Sequence, residues 1–157
     1  MNFKNYKKYL TKKNILIVVA TLAAFNIARV GFDKLTHLGT DRRVFIYPVA
    51  GSRWNHKEVR YLNKEPVQGK IQYYVDELVL GPSFYRGRPL FTPGTRVDYC
   101  FSDGKTLFVG LSSEAVLQEQ GAVSIAETKK LFKKNIKKNF SGIRHIEFFI
   151  GGVFIED

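Results

Sequence analysis

Residues 15–28 are apolar except for Thr21 and Asn26, and they follow a segment that carries Lys4, Lys7, Lys8, Lys12 and Lys13 without a single acid. Such a run must be buried in a core or placed in a membrane. As a helix it is about 21 Å long, short of the ~30 Å hydrocarbon core of a bilayer, but extension to Phe32 brings it to about 27 Å. Arg29 can then snorkel to the far interface beside Phe25 and Phe32. Residues 14–32 are read as a transmembrane helix or signal anchor. The sites ending at Ala23, Ala24 and Ala28 lack an Ala-x-Ala cleavage pattern, and no cysteine follows the run to take a lipid. The positive-inside bias assigns residues 1–13 to the cytoplasm, which makes the chain a single-pass inner-membrane protein with an extracytoplasmic domain.

The whole chain has 25 Lys and Arg against 14 Asp and Glu, a balance that by itself points to acidic partners such as nucleic acid or anionic headgroups. Its distribution changes that reading. Seven cations against Asp33 alone fall within residues 1–40, and the remaining 117 residues hold eighteen against thirteen. The domain is only mildly basic, so no nucleic acid is expected as a partner. One cysteine, Cys100, allows no internal disulfide and no thiolate zinc site.

After a tether over 33–41, the domain is expected to fill 42–157. Val44 and Ile46 alternate with Arg43, Phe45 and Tyr47 as a strand, and a weaker strand lies around 57–62. Ile71, Tyr74, Val75 and Leu78 recur at helical spacing up to a stop at Gly81-Pro82. The stretch 83–94 has two prolines, Pro89 and Pro93, directly after Pro82, and no periodicity, the mark of a long surface loop. Val97, Tyr99 and Phe101 alternate with Asp98, Cys100 and Ser102, Asp103-Gly104 offers the positive φ angles of a hairpin turn, and Leu107, Val109 and Leu111 return. A short helical turn from Ser112 ends near Gly121. Ser124 and Glu127 have capping-box spacing before a helix to about Asn139, and Ile146, Phe148 and Ile150 form the last strand. The order β-β-α-β-β-α-β predicts an α+β fold, a mixed sheet with two helices on one face, behind the N-terminal transmembrane helix.

Three segments, Leu78-Val79-Leu80-Gly81-Pro82, then Pro93-Gly94-Thr95-Arg96-Val97, then Asp103-Gly104 leading to Leu111-Ser112, together resemble the GerMN (sporulation and spore germination) domain family. The likeness covers about residues 43–155. It implies an extracytoplasmic, non-catalytic α+β module, anchored by lipid or helix and similar in fold to ring-building domains of envelope complexes. It also implies a protein partner or self-association in the cell envelope. Many members carry a lipidated cysteine, tandem domains or a propeller, none of which is seen in this sequence.

No catalytic, cofactor or metal site is expected. His37, His56 and His145 lack ligand spacing, Ser112 and Ser113 sit where a helix cap is needed, and no phosphate-binding glycine motif occurs. Asp76 and Glu77 are about 100° apart on one helix and are read as a solvated face. Lys129, Lys130, Lys133, Lys134, Lys137 and Lys138 recur in pairs every four residues, opposite Ile125, Phe132, Ile136 and Phe140. These lysines, with Phe84, Tyr85, Arg86 and Arg88 of the long loop, are the candidate partner-binding residues. Two other functions fit parts of the pattern. One is an envelope binder of a glycan or lipid fragment, with a pocket under 83–94. The other is an intracellular nucleic-acid binder stacking bases on Phe45, Tyr47, Phe108 and Phe149.

Overall fold

A computed structural model describes residues 12–116 and 124–156. Most of the basic segment 1–13 and the expected end of the helical turn near Gly121 lie outside the described residues. The chain divides into two compact units at Leu38/Gly39.

The first unit is one helix, α1 (Lys12–Thr36), 25 residues long, of which Lys12–Asp33 are long and apolar enough to cross a membrane. Its two polar side chains inside the apolar run turn back on the helix. Thr21 Oγ1 donates to Ile17 O at 2.8 Å and Asn26 Nδ2 to Leu22 O at 2.8 Å, so neither needs water. The helix outruns the expected span of 14–32. Thr36 Oγ1 bonds Phe32 O and Asp33 O, and His37 N bonds Asp33 O, which carries the helix to Thr36 and leaves three residues, 37–39, before the first strand where a tether over 33–41 was expected.

The second unit is α+β. Strands β1 (Thr40–Pro48) and β2 (Asn55–Asn63) form an antiparallel pair. Helix α2 (Lys70–Leu80) follows and ends at Gly81, whose φ of 93° is open to glycine at little cost. Strands β3 (Val97–Asp103), β4 (Thr106–Leu111), β5 (His145–Ile150) and β6 (Val153–Phe154) form a mixed sheet in that order, with β4 and β5 parallel across helix α3 (Ile125–Asn139). The element order is as predicted, with β6 added. The hairpin turns on Gly104-Lys105 with Asp103 still paired to Thr106, one residue later than the Asp-Gly signal suggests.

The ladders divide into two sheets because the second edge of β1 is occupied by side chains of α3. Asn135 Oδ1 accepts from Ile46 N at 2.7 Å and Asn135 Nδ2 donates to Ile46 O at 2.9 Å. One turn on, Asn139 Oδ1 accepts from Val44 N at 2.9 Å and its Nδ2 donates to Val44 O at 2.7 Å. The spacings agree: four helical residues rise about 6 Å and two strand residues about 6.7 Å. Tyr74 of α2 closes the cluster, its hydroxyl 2.9 Å from Val44 O and 3.1 Å from Asn135 Oδ1. Burial holds that hydroxyl well above its ordinary pKa, so it remains a donor.

Side-chain parity departs from the alternation in two strands. Phe45 and Tyr47, expected to face away from Val44 and Ile46, are fully buried, and Ile46 is buried as well. With α3 on one side and α2 on the other, this end of β1 has no solvent face. In β3 it is Cys100 that faces the core, while Tyr99 and Phe101 face out. A register irregularity between Val97 and Tyr99 resets which residues point inward. The core is completed by Phe132 of α3, packed edge-on against Phe148 at 5.2 Å, and by Phe91, stacked on Phe148 at 6.0 Å.

Asn135→Ala leaves the N–H and C=O of Ile46 buried without partners, which is expected to cost roughly 3 kcal/mol, with Asn139→Ala at the half-exposed end costing less. Chemical denaturation of the full chain in detergent, followed by near-ultraviolet circular dichroism, measures both. Equal, small losses for the two would show that the asparagine ladder does not hold β1.

Candidate functional site

The outer face of the four-stranded sheet is an aromatic surface. Side chains alternate across a strand, so with Leu107, Val109, Ile146 and Phe148 turned inward the residues between them point to solvent. Across the strands they fall into rows. Phe101 lies beside Phe108, rings stacked at 5.2 Å and 15°. In the next row Tyr99 reaches across Gly110 to Phe149 at 6.0 Å, and Phe149 meets Phe154 at 5.4 Å. Phe101 is 55% and Phe154 46% exposed. A Cβ at Gly110 would overlap the Tyr99 ring, so a side-chain-free residue in β4 is what lets the ring lie flat over the sheet. Asp103 and Glu147 share this face.

The second surface is α3. Lys130, Lys134, Lys137 and Lys138 are exposed, and among the described residues none of the four is in an ion pair. Lys133 is half-buried. Lys129 departs from the expected face: its side chain runs into the domain, where Nζ donates to Ile155 O at 2.6 Å. Helical geometry explains this, since position 129 lies closer to Phe132 and Ile136 around the axis than to Lys134. Two open depressions adjoin the N-terminal half of α3. One, of about 510 Å³, is lined by Ile125, Ala126, Lys129, Lys130, Lys133, Ile155 and Glu156. The other, of about 560 Å³, lies between Asn55, Ser124, Glu127, Lys130 and Lys134.

Residues 83–94 form the predicted irregular loop, but it is strapped down. Ala50 N donates to Arg86 O at 2.8 Å, Arg88 N to Pro48 O at 2.9 Å, and Arg86 Nη2 to Ala50 O at 3.0 Å. Arg86 holds a φ of 70°, the one positive value at a described non-glycine residue. Phe84 packs on His56 at 4.5 Å, and Tyr85 is fully exposed. The space expected to hold a ligand beneath this loop is filled by Leu90 and Phe91, each about 95% buried. The loop also adjoins α3, where Thr128 Oγ1 donates to Leu90 O at 3.0 Å.

Polar groups that could suggest chemistry have structural employment. Arg60 binds Glu58 at 2.6 Å, Glu77 at 3.1 Å and Gly81 O at 2.6 Å, and lies over the Phe45 ring at 4.7 Å. Burial opposes ionisation of Glu58, but hydrogen bonds from Arg60 and Ser83 outweigh it and hold the carboxyl below its usual range. Glu77 is therefore a tie between α2 and β2, not part of a solvated face. Ser112 Oγ accepts from Arg96 N at 3.0 Å. Burial, reinforced by the Asp76 charge, pushes the Cys100 thiol up to about 12, so it stays protonated. Among the described residues no group of three or more His, Cys, Asp or Glu could hold a metal ion.

The sequence pattern found the lysines, the loop and half of the aromatics it offered for an open sheet face: Phe108 and Phe149 lie on that face, whereas Phe45 and Tyr47 are buried in the core. Phe108 and Phe149 were legible as outward residues. Tyr99 and Phe101 were not, because the irregularity in β3 reverses their parity.

No protein-family model matches the chain. Among curated proteins it is similar to an uncharacterized lipoprotein of Treponema pallidum (strain Nichols), 27% identical over 84 residues, which are 54% of this chain and 63% of that protein. The matched part thus spans less than two thirds of that relative's length. Among solved structures it is similar to a chain from Clostridium perfringens provisionally described as a lipoprotein, with a TM-score of 0.41 and 14% identity over 72% of this chain and 76% of the other.

Gly110→Ala is expected to drive Tyr99 off the sheet and to cost about 1–3 kcal/mol in chemical denaturation. Adding Tyr99→Ala should return most of that loss. An unchanged unfolding midpoint for Gly110→Ala alone would mean that the ring does not lie over Gly110.

Proposed function

We propose that this chain is a membrane-anchored cell-envelope protein whose GerMN-like α+β domain works in protein assembly outside the cytoplasmic membrane, without catalysis. The observation that carries the reading is the outer sheet face. Tyr99, Phe101, Phe108, Phe149 and Phe154 form a contiguous aromatic surface of a kind that isolated soluble domains rarely leave in water and that protein interfaces favour. Asp103 and Glu147 on the same face favour a protein over a nucleic acid, whose phosphates they would repel.

Anchoring is supported by α1, whose described side chains are exposed and whose polar groups are satisfied within the helix. The Treponema pallidum relative is named a lipoprotein, which agrees with membrane attachment. Here the one cysteine is buried in β3, so attachment is assigned to the helix itself, with its N-terminus in the cytoplasm. The absence of catalysis rests on the structural roles already taken by Arg60, Glu58, Glu77, Ser112 and Cys100.

The test is crosslinking in intact cells at native abundance. Wild type is expected to give a discrete higher-mass adduct, and Phe101→Ser combined with Phe154→Ser is expected to lose it while the unfolding midpoint stays within about 1 kcal/mol of wild type, as exposed positions allow. Recovery of the wild-type domain only as an isolated species contradicts assembly.

A further inference from the structure

We propose that the exposed side of α3 is a second membrane contact, a docking surface for anionic phospholipid headgroups. The inference rests on the anchoring reading above and adds to it a defined face of the domain.

Charge is the first argument. From residue 41 onward the chain has eighteen Lys and Arg and thirteen Asp and Glu, a surplus of five. Helix α3 alone carries six lysines and one acid, Glu127, which is the same surplus. The domain's net positive charge is thus concentrated on one 15-residue helix. Lys130, Lys134, Lys137 and Lys138 occupy about 100° of its circumference, and the repulsion among them is not relieved by any ion pair among the described residues. An external layer of negative charge relieves it.

The second argument is the surface beside those lysines. The depression of about 510 Å³ is lined by Ile125, Ala126 and Ile155 together with Lys129, Lys130 and Lys133, and Glu156 is its one acid. Apolar ground flanked by lysine stems suits the boundary between headgroups and acyl chains, where cations reach phosphates while aliphatic carbon is partly withdrawn from water.

The third argument is reach. Three residues separate the end of α1 from the start of β1, at most about 11 Å of extended chain. With α1 in the bilayer, that length limits how far the start of β1 can be from the headgroup layer, and attraction of a polybasic face acts within about 10 Å of an anionic surface. Because Phe132 of α3 packs on the inner face of the four-stranded sheet, α3 and the aromatic face lie on opposite sides of that sheet. Turning α3 to the lipid therefore leaves Tyr99, Phe101 and Phe154 free for a protein partner.

The experiment uses the full chain in nanodiscs of phosphatidylcholine alone and of phosphatidylcholine mixed with phosphatidylglycerol, with the acetylation rate of each lysine read by mass spectrometry. Lys130, Lys134, Lys137 and Lys138 are expected to be protected several-fold only in the anionic discs, with protection lost at high salt. Exposed Lys57 and Lys105 serve as references that do not change. Replacing the four by glutamine, at positions that carry no packing, is expected to release the domain from the anionic surface, each lysine contributing roughly fivefold. Equal rates in both discs overturn the proposal. Protection that arises only when envelope proteins are added also overturns it, in favour of an acidic protein partner. A chain that fails to co-elute with discs contradicts the anchor instead, and co-sedimentation with phosphatidylglycerol vesicles then decides the α3 face: no salt-sensitive binding overturns it.

Discussion

Two asparagines one helical turn apart determine how the domain is put together. A strand edge facing a helix normally leaves its N–H and C=O groups unpaired, and burying them costs more than the packing gains. Asn135 and Asn139 solve this by offering carboxamides, each a donor and an acceptor, at a spacing that matches alternate residues of the strand. β1 can then sit with its end buried on both faces. Tyr74 joins the cluster from α2, so both helices of the domain and the first hairpin share one polar centre.

From that centre the remaining surfaces follow. With α3 committed on one side to β1 and, through Phe132, on another to Phe148, its outer side is left to lysines. The inner face of the β3–β6 sheet is filled by aliphatic residues and Phe148, and the outer face is left aromatic. Arg60 locks β2 to the end of α2 and, through Glu58 and Ser83, to the start of the long loop. The polar groups most suggestive of chemistry are thus spent on architecture, and the surfaces that remain are suited to contact.

Much of this was legible in the chain. The apolar run, the helix stop at Gly81, the Ser124 cap, whose hydroxyl accepts from Glu127 N, and the inward set of β5 all depend on local spacing, which a sequence carries directly. What escaped depends on contacts between distant residues or on a local irregularity. Nothing near Asn135 in sequence says that it will meet Ile46, 89 positions away. Period-two reasoning put Tyr99 and Phe101 inside because it has no way to see the shift near Val97. Lys129 read as one of six equal lysines, although its ammonium reaches the carbonyl of Ile155, 26 positions on. The loop over 83–94 was rightly seen as irregular, but only the placement of Leu90 and Phe91 shows that its underside is core.

The central claim is that α1 crosses the membrane and delivers the folded unit to its outer side. Protease treatment of spheroplasts, with the products and the N-terminal residue of the surviving chain identified by mass spectrometry, tests it most directly. The account predicts that residues 41–157 become accessible without lysis while a membrane-held fragment beginning at the original N-terminus is retained. A chain protected until the membrane is broken, or recovered intact from the lipid-free soluble fraction, would contradict it.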